Sequence, residues 1–162
     1  RILYNNGAHI LTADINTRRI RFIKQRFPNV EIVNPTEIHK KRVDIFAPCA
    51  LGDDFSKKTI PRLRCQIICG GANNQLATPE DGVRLHSLGI LYVPDYLANA
   101  GGLINVAGEF RRNGYSKSWV ERKVKRIGDT VKQVITLAQK RGRPTNEVAD
   151  RMAEDVFMNG RH

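Results

Sequence analysis

Ile67-Ile68-Cys69-Gly70-Gly71-Ala72-Asn73-Asn74-Gln75-Leu76 is the stretch on which the reading of the chain turns: an apolar run stops at two glycines and gives way to three carboxamide side chains. A short apolar run ending in glycine fits a buried parallel strand, and in open α/β sheets ligands gather beyond the carboxyl ends of such strands. Gly70 and Gly71 let a ligand approach the backbone closely. Asn73, Asn74 and Gln75 each carry donors and an acceptor, which suits an amide or a carboxylate ligand. Taken alone, the same residues also describe an ordinary Asx-rich turn.

Two neighbouring runs repeat the pattern. Upstream stands Asp44-Ile45-Phe46-Ala47-Pro48-Cys49-Ala50-Leu51-Gly52, and downstream Pro94-Asp95-Tyr96-Leu97-Ala98-Asn99-Ala100-Gly101-Gly102, each read as a strand end running into a loop. Between and before them strands alternate with helical patterns. Residues 8–13 form a β-rich run ending at Asp14, and residues 17–27 place Ile20, Ile23 and Phe27 at helical spacing. Residues 30–33 and 43–47 read as strands, with a turn at Asn34-Pro35-Thr36 between them. Thr78-Pro79-Glu80-Asp81 starts a helix that Gly89 closes, and residues 90–93 form the next strand. A helix is expected from Leu103 to Phe110 with Leu103, Ile104, Val106 and Ala107 on its apolar face. Another runs over 118–140 with a stripe from Trp119 to Ala138, and a last one over 147–158 turns Val148, Met152 and Val156 inward. The expected architecture is α/β: a Rossmann-like parallel sheet with helices on both faces and a helical C-terminal tail. Residues 1–114 are expected to form a partial nucleotide-binding domain and residues 115–162 helices packing on it.

The three loop-bearing runs, in this order and spacing, resemble the leucine, phenylalanine and valine dehydrogenases, and leucine dehydrogenase most. The resemblance covers nearly the whole chain and is most specific from Asp44 to Val106. It implies NAD as cofactor and oxidative deamination of an apolar L-amino acid to its 2-oxo acid and ammonia. Residue by residue, it implies that Asp14 holds the adenosine ribose and that Cys49 and Ala50, with Leu51, line the cofactor groove. Ala72 and Asn73 would lie near the nicotinamide ribose, Asn74 would face the substrate, and Asn99 would close the nicotinamide side. Leu103 and Val106, one helical turn apart, would line the pocket for the substrate's side chain, admitting leucine, valine or phenylalanine without ranking them. It further implies a homo-oligomer for the full-length form.

The chain departs from the family at its front. The glycine-rich phosphate turn that belongs about 20 residues before an acid such as Asp14 has no room there, and residues 1–7 read as the end of a helix closed by Gly7. The expectation is a cofactor domain without its first strand and G-x-G-x-x-G turn, and without the family's catalytic lysine and aspartate, which lie in a separate domain. That leaves its standing as an enzyme open and makes a non-enzymatic binding or assembly module the alternative. Other readings of single residues are weaker. Asp14 also fits a helix N-cap or turn aspartate, Cys49 has no neighbouring histidine to make it a nucleophile, and Cys65 and Cys69 lack zinc-site spacing and read as buried thiols. No metal site is expected.

Composition bounds the rest. At 162 residues the chain can bury a real core. Three cysteines and no secretory h-region point to a reducing compartment, with the cytoplasm as expectation, and no apolar run is long enough to span a bilayer. Lys plus Arg at 27 against Asp plus Glu at 16 gives a net charge of +11. Part of that excess lies on one helix face at Arg122, Lys123, Lys125, Arg126 and Lys132. Such a face could meet DNA or an anionic surface, yet it has few interleaved aromatics and no DNA-binding motif, so a solvated face is the expectation and a nucleic-acid-binding protein the weakest alternative. Binding to duplex DNA should therefore be weak, indifferent to sequence and nearly abolished at physiological salt, as counterion release dictates. Replacing Arg122, Lys123, Lys125 and Arg126 by Gln should reduce retention on a DNA column at low salt without changing the circular dichroism spectrum. Sequence-selective binding that survives physiological salt would overturn this.

Overall fold

The computed structural model describes residues 1–50 and 55–160, and the chain divides into two compact units, the first spanning Arg1–Arg42 and the second beginning at Val43. In the first unit, α1 (Ile2–Asn5) ends at Gly7, whose φ of 81° reverses the chain, a left-handed turn that glycine enters without steric cost. Strand β1 (Leu11–Thr12) pairs in parallel with β2 (Glu31–Ile32), and α2 (Thr17–Arg26) makes the crossover between them. The ladder is shorter than the apolar runs suggested, although the Glu31 N–H to Ile10 O and Val33 N–H to Thr12 O bonds, both 2.9 Å, continue it from Ile10 to Val33. Asn16 caps α2 by accepting from the Arg18 and Arg19 amides. Beneath, Val30 and Val33 are buried, and the rings of Tyr4 and Phe27 meet with centroids 5.0 Å apart. A 3-10 turn at Ile38–Lys40 follows.

The second unit is built on β3 (Ile45–Phe46), β4 (Ile67–Ile68) and β5 (Leu91–Tyr92), all parallel in the order β3-β4-β5, with Phe46 opposite Ile68 and Ile68 opposite Tyr92. Phe55, Ile60, Ile68, Leu85, Ile90 and Tyr92 form one buried cluster, with Phe46, Leu63, Cys65 and Leu76 packed against it. Burying a side chain such as Leu85 or Ile68 stabilises the fold by about 1.5–3 kcal/mol. Phe55 reaches the cluster because its backbone pairs with the β4 loop, donating to Gln75 O and accepting from Ala77 N–H at 2.9 Å each. A 3-10 turn at Ile60–Arg62 starts this crossover, with Pro61 in its first turn. No helical periodicity announces so short an element. Helix α3 (Pro79–Ser87) then connects β4 to β5 and opens on a capping box between Thr78 and Asp81. The Asp81 carboxylate is buried, yet Thr78 and Arg84 satisfy it, the latter at 2.7 Å. Gly89, at φ 72°, ends the helix as the sequence indicated.

After β5 the structure differs from expectation. Residues 95–102 are not a loop: α4 (Asp95–Ala98) begins directly at Pro94, and α5 (Gly101–Glu109) starts at the paired glycines rather than at Leu103. Asp95 stands in the first turn of α4, where a carboxylate complements the helix dipole. Helix α5 packs on α6 (Lys117–Arg141) through Gly108, where a Cβ would lie 2.8 Å from Val120 Cγ2, so the buried face of α5 centres on Gly108. Leu103 and Val106 are exposed instead, at 75% and 47%. Helix α7 (Thr145–Met158) packs on α6 around Val134, Ala138, Val148 and Ala149, with Met152 against them. The expected inward stripe stops there: Val156 is exposed, because the last turn of α7 runs past the helices that cover its start. Among the described residues no helix is long and apolar enough to cross a membrane.

Two glycines make opposite predictions for the same substitution. At Gly70 a Cβ would sit 2.2 Å from the Pro48 carbonyl oxygen, so Gly70→Ala should destabilise by about 1–3 kcal/mol. At Gly128, inside α6 with nothing within 4 Å, Gly128→Ala should stabilise by about 0.5–1 kcal/mol through helix propensity. Denaturant unfolding of the two variants measures both, and equal signs would contradict the packing described.

Candidate functional site

The carboxyl ends of β3, β4 and β5 carry the candidate site. The turn after β4 lies close to β3, because Gly70 has no side chain to hold Pro48 away, and the Ala72 amide donates to Pro48 O at 3.0 Å. Gln75 turns inward from this loop and is fully buried. Its Nε2 donates to Gly70 O at 3.0 Å and to Ala72 O at 2.9 Å, cross-bracing the turn. Its Oε1 is buried without a partner among the described residues. Of the three carboxamides that the sequence placed together, Gln75 therefore shapes the loop, while Asn73 and Asn74 are exposed to a ligand.

Asn74 is the one non-glycine residue with positive φ, at 52°, among the described residues. Asparagine is among the few side-chain-bearing residues that enter this region readily. Its amide donates to Asp95 Oδ2 at 2.7 Å, while Asp95 Oδ1 accepts the Tyr92 hydroxyl at 2.9 Å and the Asp95 amide donates back to the Tyr92 oxygen at 3.2 Å. Burial first, and then the bond to Asp95, hold the Tyr92 phenol protonated well above the ordinary tyrosine range. Tyr92 is anchored from the other side by Thr145 at the start of α7, whose hydroxyl donates to Tyr92 O. Tyr96 donates to Asp150 Oδ1 at 2.5 Å, and burial followed by that bond likewise raises its pKa. One turn on, Asn99 Nδ2 donates to Asn73 Oδ1 at 2.6 Å and lies 3.3 Å from Ala72 O. With its oxygen engaged, the Asn73 carboxamide keeps its NH2 group for a ligand acceptor.

Ala72, Asn73, Asn74 and Asn99 are thus brought together by direct bonds or through Asp95. Cys49 and Ala50 follow β3 and are exposed, whereas Leu51, expected beside them, lies outside the described residues. Cys69, read from sequence as buried, is exposed, since it stands at the strand end where the core cluster has stopped. Partial desolvation first, and then the nearby Cys49 thiol, raise its pKa. Cys65 is half-buried against the core. Leu103 and Val106 stand exposed on α5 without a described bond to the asparagines. In the first unit Asp14 follows β1: Oδ1 accepts the Asn16 amide at 2.8 Å and Oδ2 lies 3.6 Å from Arg19. The helix cap is Asn16, so Asp14 makes an Asx turn and its side chain stays 29% exposed. No group of three His, Cys, Asp or Glu side chains among the described residues could hold a metal ion. Asp95 and Tyr92 were missed from the sequence; a Tyr-x-x-Asp pair straddling Pro94 was the signal available.

The glutamate/leucine/phenylalanine/valine dehydrogenase family model matches residues 6–155. Leucine dehydrogenase of Geobacillus stearothermophilus is 41% identical over 155 residues, covering 96% of this chain and 41% of that protein. L-tryptophan dehydrogenase of Nostoc punctiforme is 40% identical over 166 residues, covering 99% of this chain and 45% of that protein. The crystal structure of L-tryptophan dehydrogenase from Nostoc punctiforme superposes with a TM-score of 0.92 over 98% of this chain and 48% of that one. A glutamate dehydrogenase structure from Thermus thermophilus, at 17% identity and a TM-score of 0.59, shares the fold. The chain spans less than half the length of the curated relatives it matches. With parallel strand ends converging on a two-glycine, two-asparagine turn, and with similarity running through residues 6–155, the chain belongs to the glutamate/leucine/phenylalanine/valine dehydrogenase family.

Proposed function

We propose that these 162 residues are the NAD-binding portion of an L-amino-acid dehydrogenase that oxidatively deaminates leucine or a similarly apolar amino acid. The observation that carries this reading is the set of exposed carboxamides of Asn73 and Asn74, held at the end of a parallel strand and braced by Asn99 and Asp95. Residues 1–114 are the nucleotide-binding part, and residues 115–162 supply helices that pack on α5 and on β5.

The residues present fit the cofactor. Gly71 is exposed with nothing within 4 Å of a Cβ, so the turn is open to a ligand. Asn73 offers a donor to a ribose hydroxyl oxygen, and Asn99 fixes that orientation. Cys49 and Ala50, both exposed, border the cofactor groove, and Ala72, whose side chain is buried, lies by its backbone near the nicotinamide ribose. The Asn74 carboxamide, exposed and without a partner among the described residues, is suited to the carboxylate or amine of the substrate. Leu103 and Val106 offer an apolar surface that disfavours a charged side chain, since an unpaired charge would lose its water there. Asp14 accepts hydrogen bonds from the adenosine ribose hydroxyls and opposes a 2′-phosphate. Bound NAD supplies the hydride acceptor. The acid–base groups belong to a domain with no counterpart in these residues, and the full-length protein is a homo-oligomer acting on a small-molecule substrate, an apolar amino acid.

A spectrophotometric assay of the full-length protein with NAD and leucine, valine, phenylalanine or glutamate tests the reading, and glutamate as the preferred substrate would overturn it. The 162 residues alone contain no G-x-G-x-x-G turn to anchor a pyrophosphate at a helix N-terminus. Calorimetry should therefore show NAD binding in roughly the millimolar range, and micromolar affinity would contradict this. In the full-length protein, Asp14→Ser should shift the NADP-to-NAD ratio of kcat/KM by about tenfold or more toward NADP, one charge repulsion being removed. An unchanged ratio would mean that Arg18 and Arg19, rather than Asp14, govern the choice.

A further inference from the structure

Asp95 joins the two halves of the site in a way that its sequence position does not disclose. Its carboxylate bridges two groups from different elements: Oδ1 accepts the hydroxyl of buried Tyr92 from β5, and Oδ2 accepts the Asn74 amide from the loop after β4, at 2.9 and 2.7 Å. The donating residue, Asn74, is the one described non-glycine residue in the left-handed region. That conformation is unfavourable for a residue with a side chain, and it persists where surrounding contacts over-determine it. Here the contact is a charge-assisted hydrogen bond of the short, strong kind. Asp95 is held in turn: its own amide meets the Tyr92 oxygen, it starts α4, and the Tyr92 carbonyl is bonded by Thr145 of α7. The Asn74 side chain makes no bond to any described residue, so the bond of its backbone amide is what fixes the point from which it leaves the turn.

We propose that Asp95 is the positioning residue for the Asn74 carboxamide, locking Asn74 in its left-handed conformation so that the side chain leaves the turn from one fixed backbone position toward the amino-acid substrate. The role of Asn74 rests on the function proposed above, whereas the hold of Asp95 on Asn74 does not. Asp95 touches no ligand in this scheme. It acts through a backbone amide, and its effect on turnover passes entirely through Asn74. A second bracket, Asn99 on Asn73, uses only the backbone carbonyl of Asp95 and not its carboxylate, so loss of the carboxylate should loosen Asn74 while leaving Asn73 and its share of cofactor binding in place.

Two measurements test this. Amide hydrogen exchange on this protein, read by nuclear magnetic resonance, should show Asn74 N–H protected. Asp95→Ala should accelerate its exchange by about 10- to 100-fold, the loss of one hydrogen bond to a charged acceptor. Val93 N–H, bonded to Ile68 O in the sheet, should be unaffected. Asp95→Asn retains an acceptor and should restore most of the protection. Tyr92→Phe, which frees Oδ1, should move Asn74 in the same direction more weakly and decides the matter if Asp95→Ala does not fold. In the full-length protein, Asp95→Ala should lower kcat/KM for the amino acid roughly 10- to 100-fold with the NAD dissociation constant within about twofold. Asn74→Gly, which keeps the backbone conformation and removes the carboxamide, should do the same, and the double variant should be no worse than Asn74→Gly. Multiplying losses in the double variant, or unchanged Asn74 exchange in Asp95→Ala, would overturn the proposal. If the full-length protein oxidises no amino acid with NAD, the functional reading falls, and the exchange experiment by itself decides whether Asp95 holds Asn74.

Discussion

The close approach of Gly70 to Pro48 is the contact on which the site depends. A side chain there would occupy the space of the Pro48 carbonyl. Without one, the turn after β4 folds back against the end of β3, and the Ala72 amide finds the Pro48 oxygen. Gln75 can then reach back from inside the fold and brace the turn on the carbonyls of Gly70 and Ala72. The exposed asparagines are therefore carried on a loop whose interior is filled and largely bonded. Rigid support of this kind keeps a binding group in a narrow range of directions before any ligand arrives.

Support comes equally from the helical side of the second unit. Thr145 and Asn146 at the start of α7 are buried, the first bonded to β5 through Tyr92 O, the second packed against Gly82 of α3 so closely that a Cβ at Gly82 would lie 2.3 Å from Asn146 Oδ1. Tyr96 fastens α4 to α7 through Asp150. Polar contacts between elements distant in sequence are costly to leave half-made in a buried setting. They also specify one arrangement of α3, α4, β5 and α7 where apolar packing alone would accept several. The exposed carboxamides are thus backed by a network that runs from the strand ends to the last helix.

Much of this was legible in the sequence, because strand and helix periodicities are local. The parallel strands, α2, α3, α6 and α7 follow from apolar spacing, proline starts and glycine stops, with ends within a few residues. What remained hidden depends on contacts across the chain. Residues 95–102 read as a loop because glycine and asparagine are turn formers, yet α4 begins at Asp95, where that residue bonds to Tyr92 and Asn74 from other parts of the chain. Leu103 and Val106 read as an apolar helix face, which is correct as chemistry. The side of α5 that packs is chosen by the missing side chain of Gly108. Gln75 was grouped with its asparagine neighbours, although one of the three consecutive carboxamides had to face inward. The asparagines themselves became site candidates through the family resemblance, since the residues alone left an ordinary turn open.

The left-handed backbone at Asn74 divides the labour of the site. A position with that geometry admits few residue types, chiefly glycine, asparagine and aspartate, so it tolerates little drift in sequence. Leu103 and Val106 face no such restriction: they stand exposed on a regular helix whose packing is carried by a different face. Apolar side chains of many shapes can be exchanged there without disturbing the turn after β4. Variation of this exposed apolar surface is thereby uncoupled from the contacts that hold the asparagines, so the one can change while the polar geometry of the turn stays fixed.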